Sequence, residues 1–151
     1  MSGKGNQDGI YAINIKAFYF SQTFLIRSMK MAETSLFCQV NTAATGPAET
    51  AKKHVPVITV PATIKVGQPF TVTIKVGEAP HVMESGHFIQ FADLYSGHIY
   101  ISRVDFTAEL NKPEVTLTVV LPHEGKRTLR AFSRCNLHGI WEGTKEVDVT
   151  K

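Results

Sequence analysis

Histidines and one of two cysteines are concentrated in three short segments, and this feature most constrains what the chain can fold into. Residues 52–56 read Lys-Lys-His-Val-Pro, and residues 77–81 read Gly-Glu-Ala-Pro-His, with another histidine at position 87. Residues 135–141 read Cys-Asn-Leu-His-Gly-Ile-Trp. One thiolate with several imidazoles suits a borderline-soft redox metal such as iron or copper. The sequence therefore predicts a metal site assembled from distant segments.

The sequence after residue 55 has the pattern of β-strands. Residues 70–76 alternate apolar and polar side chains, as a half-buried strand does. Ser96 and Gly97 suit a two-residue hairpin turn, and residues 122–125 suggest a second hairpin. The candidate strands are 70–76, 88–95, 98–106, 114–121, 126–133 and 146–149. Short strands at this spacing, without helical periods, predict an all-β antiparallel β-sandwich.

Residues 1–50 differ from the rest and are interpreted as an N-terminal extension and linker, with the metal-binding domain at 51–151. On a helical wheel, Lys16, Arg27 and Lys30 fall on one side of an apolar segment. The segment is interpreted as a targeting helix, as a membrane-surface helix, or as an extension without either role. Residues 41–50 are small and polar, and they contain the turn-forming pair Gly46-Pro47.

Composition excludes several classes of protein. The 151 residues carry a formal net charge of +3, which is too mild to predict nucleic-acid binding. The sequence has no stretch of about 18 uninterrupted apolar residues, so no membrane span is predicted. Cys38 and Cys135 are the only cysteines, which is too few for a disulfide scaffold. Metal chemistry at Cys135 is the better interpretation.

The three segments resemble the motifs of superoxide reductases, the neelaredoxin and desulfoferrodoxin family. That family has a Glu-Lys-His-Val-Pro segment, a Pro-His segment followed six residues later by histidine, and a Cys-Asn-x-His-Gly-x-Trp segment. The resemblance covers residues 52 to 142, with the motifs in the same order, and the last motif is the most specific. It implies an immunoglobulin-like sandwich, which agrees with the predicted strands.

The resemblance also implies a function and a ligand set. Superoxide would be reduced by one electron to hydrogen peroxide at a mononuclear non-haem iron. Five protein ligands would leave one octahedral position open to substrate. Four histidines would surround the iron in one plane, and the cysteine would be the axial thiolate. The implied ligands are His54, His81, His87, His138 and Cys135.

Lys53 matches the family lysine beside the first histidine, and the resemblance implies that it attracts superoxide and stabilises the developing negative charge. The sequence departs from the family at Lys52, where a glutamate is usual. Water or hydroxide, instead of glutamate, is therefore expected to bind the oxidised iron. Glu49 lies three residues further back and is not assigned that role.

The chain has too few cysteines for the second iron centre found in some family members. A single-iron protein needs an outside electron donor, and the family implies a rubredoxin-like one. Homo-oligomers are common in the family and are expected by analogy. A cytoplasmic location is expected, with organelle targeting by the extension as the alternative.

Two other functions compete with this interpretation. A cupredoxin-like copper electron carrier also uses cysteine and histidine on a β-sandwich, but it usually needs a methionine after the last histidine. No methionine follows Met83. An immunoglobulin-like interaction module with incidental histidines is the second alternative. His98 and His123 are interpreted as solvated loop residues.

Overall fold

The computed structural model describes residues 36–151, which contain nine strands and one short helix. The predicted basic helix lies outside these residues. Within them, no helix is long and apolar enough to cross a membrane. The elements in chain order are β1 (Val40–Asn41), α1 (Ala48–His54), β2 (Pro56–Thr59), β3 (Ile64–Lys65), β4 (Pro69–Val76), β5 (Ile89–Ser96), β6 (Ile99–Asp105), β7 (Glu114–Val120), β8 (Gly125–Cys135) and β9 (Gly139–Thr150).

A three-stranded antiparallel sheet forms one layer, in the order β2-β4-β7. Strand β4 shows why the sequence folds this way, since Val72, Ile74 and Val76 are fully or almost fully buried and alternate with more exposed residues. On the opposite face, the hydroxyls of Thr73 and Thr116 hydrogen-bond across the strands at 2.9 Å. The alternation gives this sheet one apolar face and one polar face.

The second layer is a larger sheet in the order β1-β9-β8-β5-β6, with β3 also paired to β9. Its central pairs are antiparallel, whereas β1 and β3 run parallel to β9. Leu94 on β5 and Leu129 on β8 are fully buried in the same hydrophobic cluster as Ile74 of the smaller sheet. The two sheets therefore share one core, which confirms the predicted antiparallel β-sandwich.

The predicted strands are present, but two local predictions were wrong. Strands β7 and β8 do not form a hairpin, because β7 pairs with β4 whereas β8 pairs with β5 and β9. Residues 121–124 thus carry the chain from one sheet to the other. The β5–β6 turn uses Gly97 and His98 instead of Ser96 and Gly97. Gly97 has φ of 59°, a conformation that glycine adopts without steric cost.

The segment before β2 has more structure than its composition indicated. The compact unit begins at Leu36, and residues 41–50 include the end of β1, a turn and the start of α1. In the turn, Thr42 and Thr45 exchange side-chain and backbone hydrogen bonds. A domain boundary at residue 50 stays a prediction. Helix α1 ends at His54, one of the predicted metal ligands.

Candidate metal centre

Three parts of the chain meet at one end of the sandwich: the end of α1, the loop between β4 and β5, and the turn between β8 and β9. They bring together every residue that the sequence predicted as a metal ligand. Each of the five offers a nitrogen or sulfur atom, and these atoms all lie within 4.8 Å of one another. The five residues are His54, His81, His87, Cys135 and His138.

His54 is held by hydrogen bonds at both its ring and its backbone. Its Nδ1 lies 2.7 Å from the carbonyl oxygen of Thr50, one turn earlier in α1. A carbonyl can only accept, so Nδ1 carries the proton and Nε2 has a free lone pair. The His54 carbonyl accepts a 2.7 Å hydrogen bond from the buried hydroxyl of Ser133 on β8. The larger sheet thereby fixes the end of α1.

Replacing Ser133 with alanine should destabilise the protein by about 1–3 kcal/mol, because the carbonyl of His54 loses the buried hydrogen bond that the Ser133 hydroxyl donates. Urea unfolding of the metal-free protein measures the change. Thr73→Ala is the matched control, since its hydroxyl bond lies on the exposed face of the smaller sheet. Equal losses in the two variants would contradict a special role for Ser133.

His81 is also oriented by a hydrogen bond between its ring and a backbone carbonyl. Its Nδ1 hydrogen-bonds the carbonyl oxygen of Val82 at 2.5 Å, so the lone pair is again on Nε2. The Nε2 atoms of His54 and His81 face each other at 3.0 Å. Two nitrogen lone pairs at this distance repel unless a cation lies beside them. His87 Nε2 is also buried and has no hydrogen-bond partner among the described residues. These three nitrogens fit a bound metal ion.

Burial keeps the histidines in the state that binds metals. It lowers the pKa of His54 and of His81 to about 4 in each case, although the backbone hydrogen bonds of the two rings oppose the shift. The pKa of His138 is also lowered, by burial and by the nearby His87. At neutral pH these three rings are therefore uncharged, and only a neutral imidazole has a lone pair for a metal.

Cys135 ends β8 and is fully buried. Its Sγ lies 3.4 Å from His138 Nδ1. Burial raises the pKa of the thiol, while hydrogen bonds from the backbone N–H groups of Leu137 and His138 act in the opposite direction. A coordinated metal ion removes the proton from a thiol outright. The backbone donors would then stabilise the thiolate and tune the potential of the metal.

Trp141 connects two of the histidines. Its ring is fully buried and stacks on His54, with centroids 5.3 Å apart and an interplanar angle of 28°. Its indole N–H donates a 2.9 Å hydrogen bond to the carbonyl oxygen of His138. Gly46 lies against the same ring, where a Cβ would overlap the indole carbons. Trp141 thus contacts one member of the cluster through its ring and holds the backbone of another.

The predicted lysine lies beside the cluster. Lys53 precedes His54, has an exposed side chain, and is close enough to contribute to the lowered pKa of His81. The neighbouring Lys52 forms an exposed 2.7 Å ion pair with Glu49. His98 and His123 line a separate groove and do not belong to the cluster.

Comparisons with known proteins agree with this geometry. The Desulfoferrodoxin family model matches residues 47–144, which include all five candidate ligands. A protein of Methanocaldococcus jannaschii, named as a candidate superoxide reductase, is 46% identical over 114 residues, covering 74% of this chain and 95% of that protein. The superoxide reductase of Pyrococcus furiosus is 35% identical over 108 residues, covering 60% and 85%.

Solved structures give the same result. The superoxide reductase (neelaredoxin) of Ignicoccus hospitalis matches with a TM-score of 0.63 and 35% identity, over 73% of this chain and 94% of that one. The superoxide reductase of Nanoarchaeum equitans matches with a TM-score of 0.57 and 33% identity, over 72% and 100%. With the family model matching well over half of its length and the His4Cys group in place, the chain belongs to the desulfoferrodoxin family.

Proposed function

We propose that this protein is a superoxide reductase, which reduces superoxide by one electron to hydrogen peroxide. The observation that carries the proposal is the group of four histidines and one cysteine, within a region that matches the Desulfoferrodoxin family. The relatives named superoxide reductases, and the solved structures with that name, support the same activity. One mononuclear non-haem iron is the cofactor.

We propose His54, His81, His87, His138 and Cys135 as the residues that hold the iron. When bound there, the iron supplies the electron that superoxide accepts. The chain contributes orientation, because carbonyl hydrogen bonds direct the Nε2 atoms of His54 and His81 towards each other. It also contributes an electron-rich thiolate on Cys135 in a buried position. Thiolate donation is a general means of tuning iron reactivity.

Neither competing function has a supporting observation. A copper electron carrier would use a weak axial methionine, but Met83 accepts a 3.4 Å hydrogen bond from the Ile89 N–H through its sulfur. That sulfur is thus engaged with the start of β5. A module with incidental histidines would not account for the two Nε2 atoms that face each other at 3.0 Å.

Lys53 is proposed to attract superoxide, since it is exposed, directly precedes His54, and has a positive charge that acts on His81. Lys53→Ala should slow the reaction of the reduced protein with superoxide by about tenfold at low salt, the lower end of steering effects, and should weaken its salt dependence. Stopped-flow or pulse-radiolysis rates at several ionic strengths measure both quantities.

Lys65→Ala is the control for Lys53→Ala. It removes the same charge, but Lys65 pairs with Thr150 at the end of β9, whereas the candidate metal site adjoins the start of that strand. The two ends of β9 are about 35 Å apart at the usual rise per residue. The control should react at the wild-type rate. Equal rates for Lys53→Ala and Lys65→Ala would contradict local steering by Lys53.

Lys52 occupies the position at which the family usually has a glutamate. The nearest carboxylate before it in the sequence, Glu49, forms an ion pair with Lys52. We therefore propose that water or hydroxide, instead of glutamate, completes the coordination of the oxidised iron. Both side chains of this ion pair are exposed to solvent, so its contribution to the free energy of unfolding is small.

We further propose that the iron is reduced again by an external, rubredoxin-like donor, because only one metal-binding group is found among the described residues. Homo-oligomer formation is proposed by analogy with the family. A cytoplasmic location is proposed because Cys38 is an exposed free thiol, which is typical of a reducing compartment. Organelle targeting by residues 1–50 is the alternative.

The proposed activity is tested by mixing the reduced, iron-loaded protein with superoxide. Each iron should lose one electron, two protons should be taken up, and one hydrogen peroxide should form without release of oxygen. Oxygen and hydrogen peroxide in equal amounts, without net oxidation of the iron, would indicate dismutation and would overturn the proposal. A reduced iron that does not react would overturn it as well.

A further inference from the structure

The amide side chain of Asn136 links two of the segments that form the metal site. Its Oδ1 accepts a 2.9 Å hydrogen bond from the backbone N–H of Phe88, and its Nδ2 donates a 2.9 Å hydrogen bond to the carbonyl oxygen of Gly86. Gly86 and Phe88 are the two neighbours of His87. The backbone N–H of Asn136 also donates to the Phe88 carbonyl at 3.2 Å. Three hydrogen bonds thus join the residue after Cys135 to the backbone on both sides of His87.

His87 depends on this support more than the other histidines do. The rings of His54 and His81 each have an Nδ1 hydrogen bond to a backbone carbonyl. Among the described residues, no hydrogen bond reaches either ring nitrogen of His87, and its Nε2 is buried. The His87 ring packs edge-to-face against the rings of His81 and His138, so the hydrogen bonds that hold His87 in place are those of the backbone on either side of it.

The loop that carries His87 is closed on itself and needs an external anchor. Glu84 and His87 exchange both backbone hydrogen bonds at 3.0 Å, which makes residues 84–87 a tight turn. At Gly86 there is open space where a side chain would be, so packing does not hold this part of the turn. The hydrogen bond from Asn136 to the Gly86 carbonyl is the contact that fixes it.

We propose that Asn136 is a positioning residue, which clamps the His87 loop to the Cys135 turn and so sets the distance between a histidine and the thiolate. The inference rests on the proposed metal site. Ligands held in place before the metal arrives lose less conformational entropy on binding, and outer hydrogen-bond partners typically contribute about 10- to 100-fold to metal affinity. Of the four candidate histidine ligands, the clamp preorganises the one whose ring has no hydrogen bond to another described residue.

The test measures cobalt(II) binding to the full chain, since cobalt(II) reports on its ligands through visible absorption. Asn136→Ala removes the amide, and Asn136→Leu keeps similar volume without its hydrogen bonds. Both variants should bind cobalt(II) about 10- to 100-fold more weakly. Their d–d bands should shift because His87 is misplaced, while the thiolate-to-cobalt band persists because Cys135 remains. Asn111→Ala is the matched control, since that side chain accepts a 2.8 Å bond from the Thr107 N–H and, among the described residues, has no hydrogen bond to any of the five candidate ligands.

The outcomes separate this inference from the proposed function. A wild-type protein without a thiolate-to-cobalt band would overturn the metal site itself. A wild-type band together with unchanged affinity and d–d bands in both Asn136 variants would overturn only the clamp. If one variant does not fold by circular dichroism, the other decides. Loss of the fold in both would assign Asn136 to the stability of the whole domain and would also overturn the positioning role.

Discussion

Cys135→Ser is expected to abolish the visible thiolate-to-iron absorption band and the reaction with superoxide. Serine has nearly the same shape, so the fully buried position stays filled. Its hydroxyl is a far weaker acid than a thiol and does not supply the soft, electron-rich ligand that cysteine provides. The visible spectrum of the oxidised, iron-loaded variant and its rate with superoxide measure the two effects.

The other cysteine provides a matched control for this experiment. Cys38 is an exposed free thiol, and it is not part of the metal-binding group. Cys38→Ser should therefore keep the band and the rate of the wild-type protein. If the band survives in Cys135→Ser, the assignment of Cys135 as a ligand is wrong. Loss of the band in Cys38→Ser would point to the same conclusion.

Trp141→Ala is expected to reduce the free energy of unfolding by about 3–5 kcal/mol, which is a large share of the stability of a small domain. The indole is fully buried, and the cavity left behind would be bordered by Gly46 and the ring of His54. Loss of the indole N–H would also leave the His138 carbonyl without its 2.9 Å partner. Urea unfolding of the metal-free chain gives the change.

Trp141→Phe separates packing from hydrogen bonding at this position. Phenylalanine keeps an aromatic ring near His54 but has no N–H for the His138 carbonyl. We expect a smaller loss of stability than in Trp141→Ala, together with weaker iron binding because His138 is less well held. If iron affinity is the same as wild type in Trp141→Phe, the hydrogen bond to His138 does not position that ligand.

The strands of the sandwich could be predicted where burial alternates, and the sheet partners could not. Strand β4 alternates strictly, so its limits and its buried face follow from the sequence alone. Strand β7 has an equally clear pattern, but nothing in it distinguishes pairing with β4 from a hairpin with β8. That choice depends on the packing of the two sheets around one core, which is a property of the whole chain.

The start of the last strand, β9, could not be predicted from the sequence. Residues 146–149 alternate and were predicted as a strand, yet β9 begins at Gly139. Gly139 and Gly143 are residues that weaken a strand prediction. In the structure, Gly143 lies so close to the backbone of Pro56 on β2 that a Cβ would overlap it. Glycine is needed where two backbones approach so closely. This requirement comes from a tertiary contact, so the strand propensities of neighbouring residues do not reveal it.

The candidate ligands could be proposed from the sequence because three motifs occur in the expected order, and the structure brings all five side chains together. The residues that hydrogen-bond to the segments carrying these ligands could not be predicted in the same way. Ser133 has no motif of its own, and only the fold brings its hydroxyl to the His54 carbonyl. Asn136 lies inside the cysteine motif, but its partners are 48 and 50 residues away. Hydrogen bonds between distant segments leave no local sequence pattern.

The five-ligand centre is tested most directly by X-ray absorption at the iron K edge of the full chain loaded with one equivalent of ferrous iron. The geometry predicts one sulfur scatterer from Cys135 and four imidazole nitrogens from His54, His81, His87 and His138. Cys135→Ser should lose the sulfur scatterer and keep the imidazoles. A wild-type shell made only of nitrogen and oxygen, or a chain that does not retain one iron, would contradict the five-ligand centre.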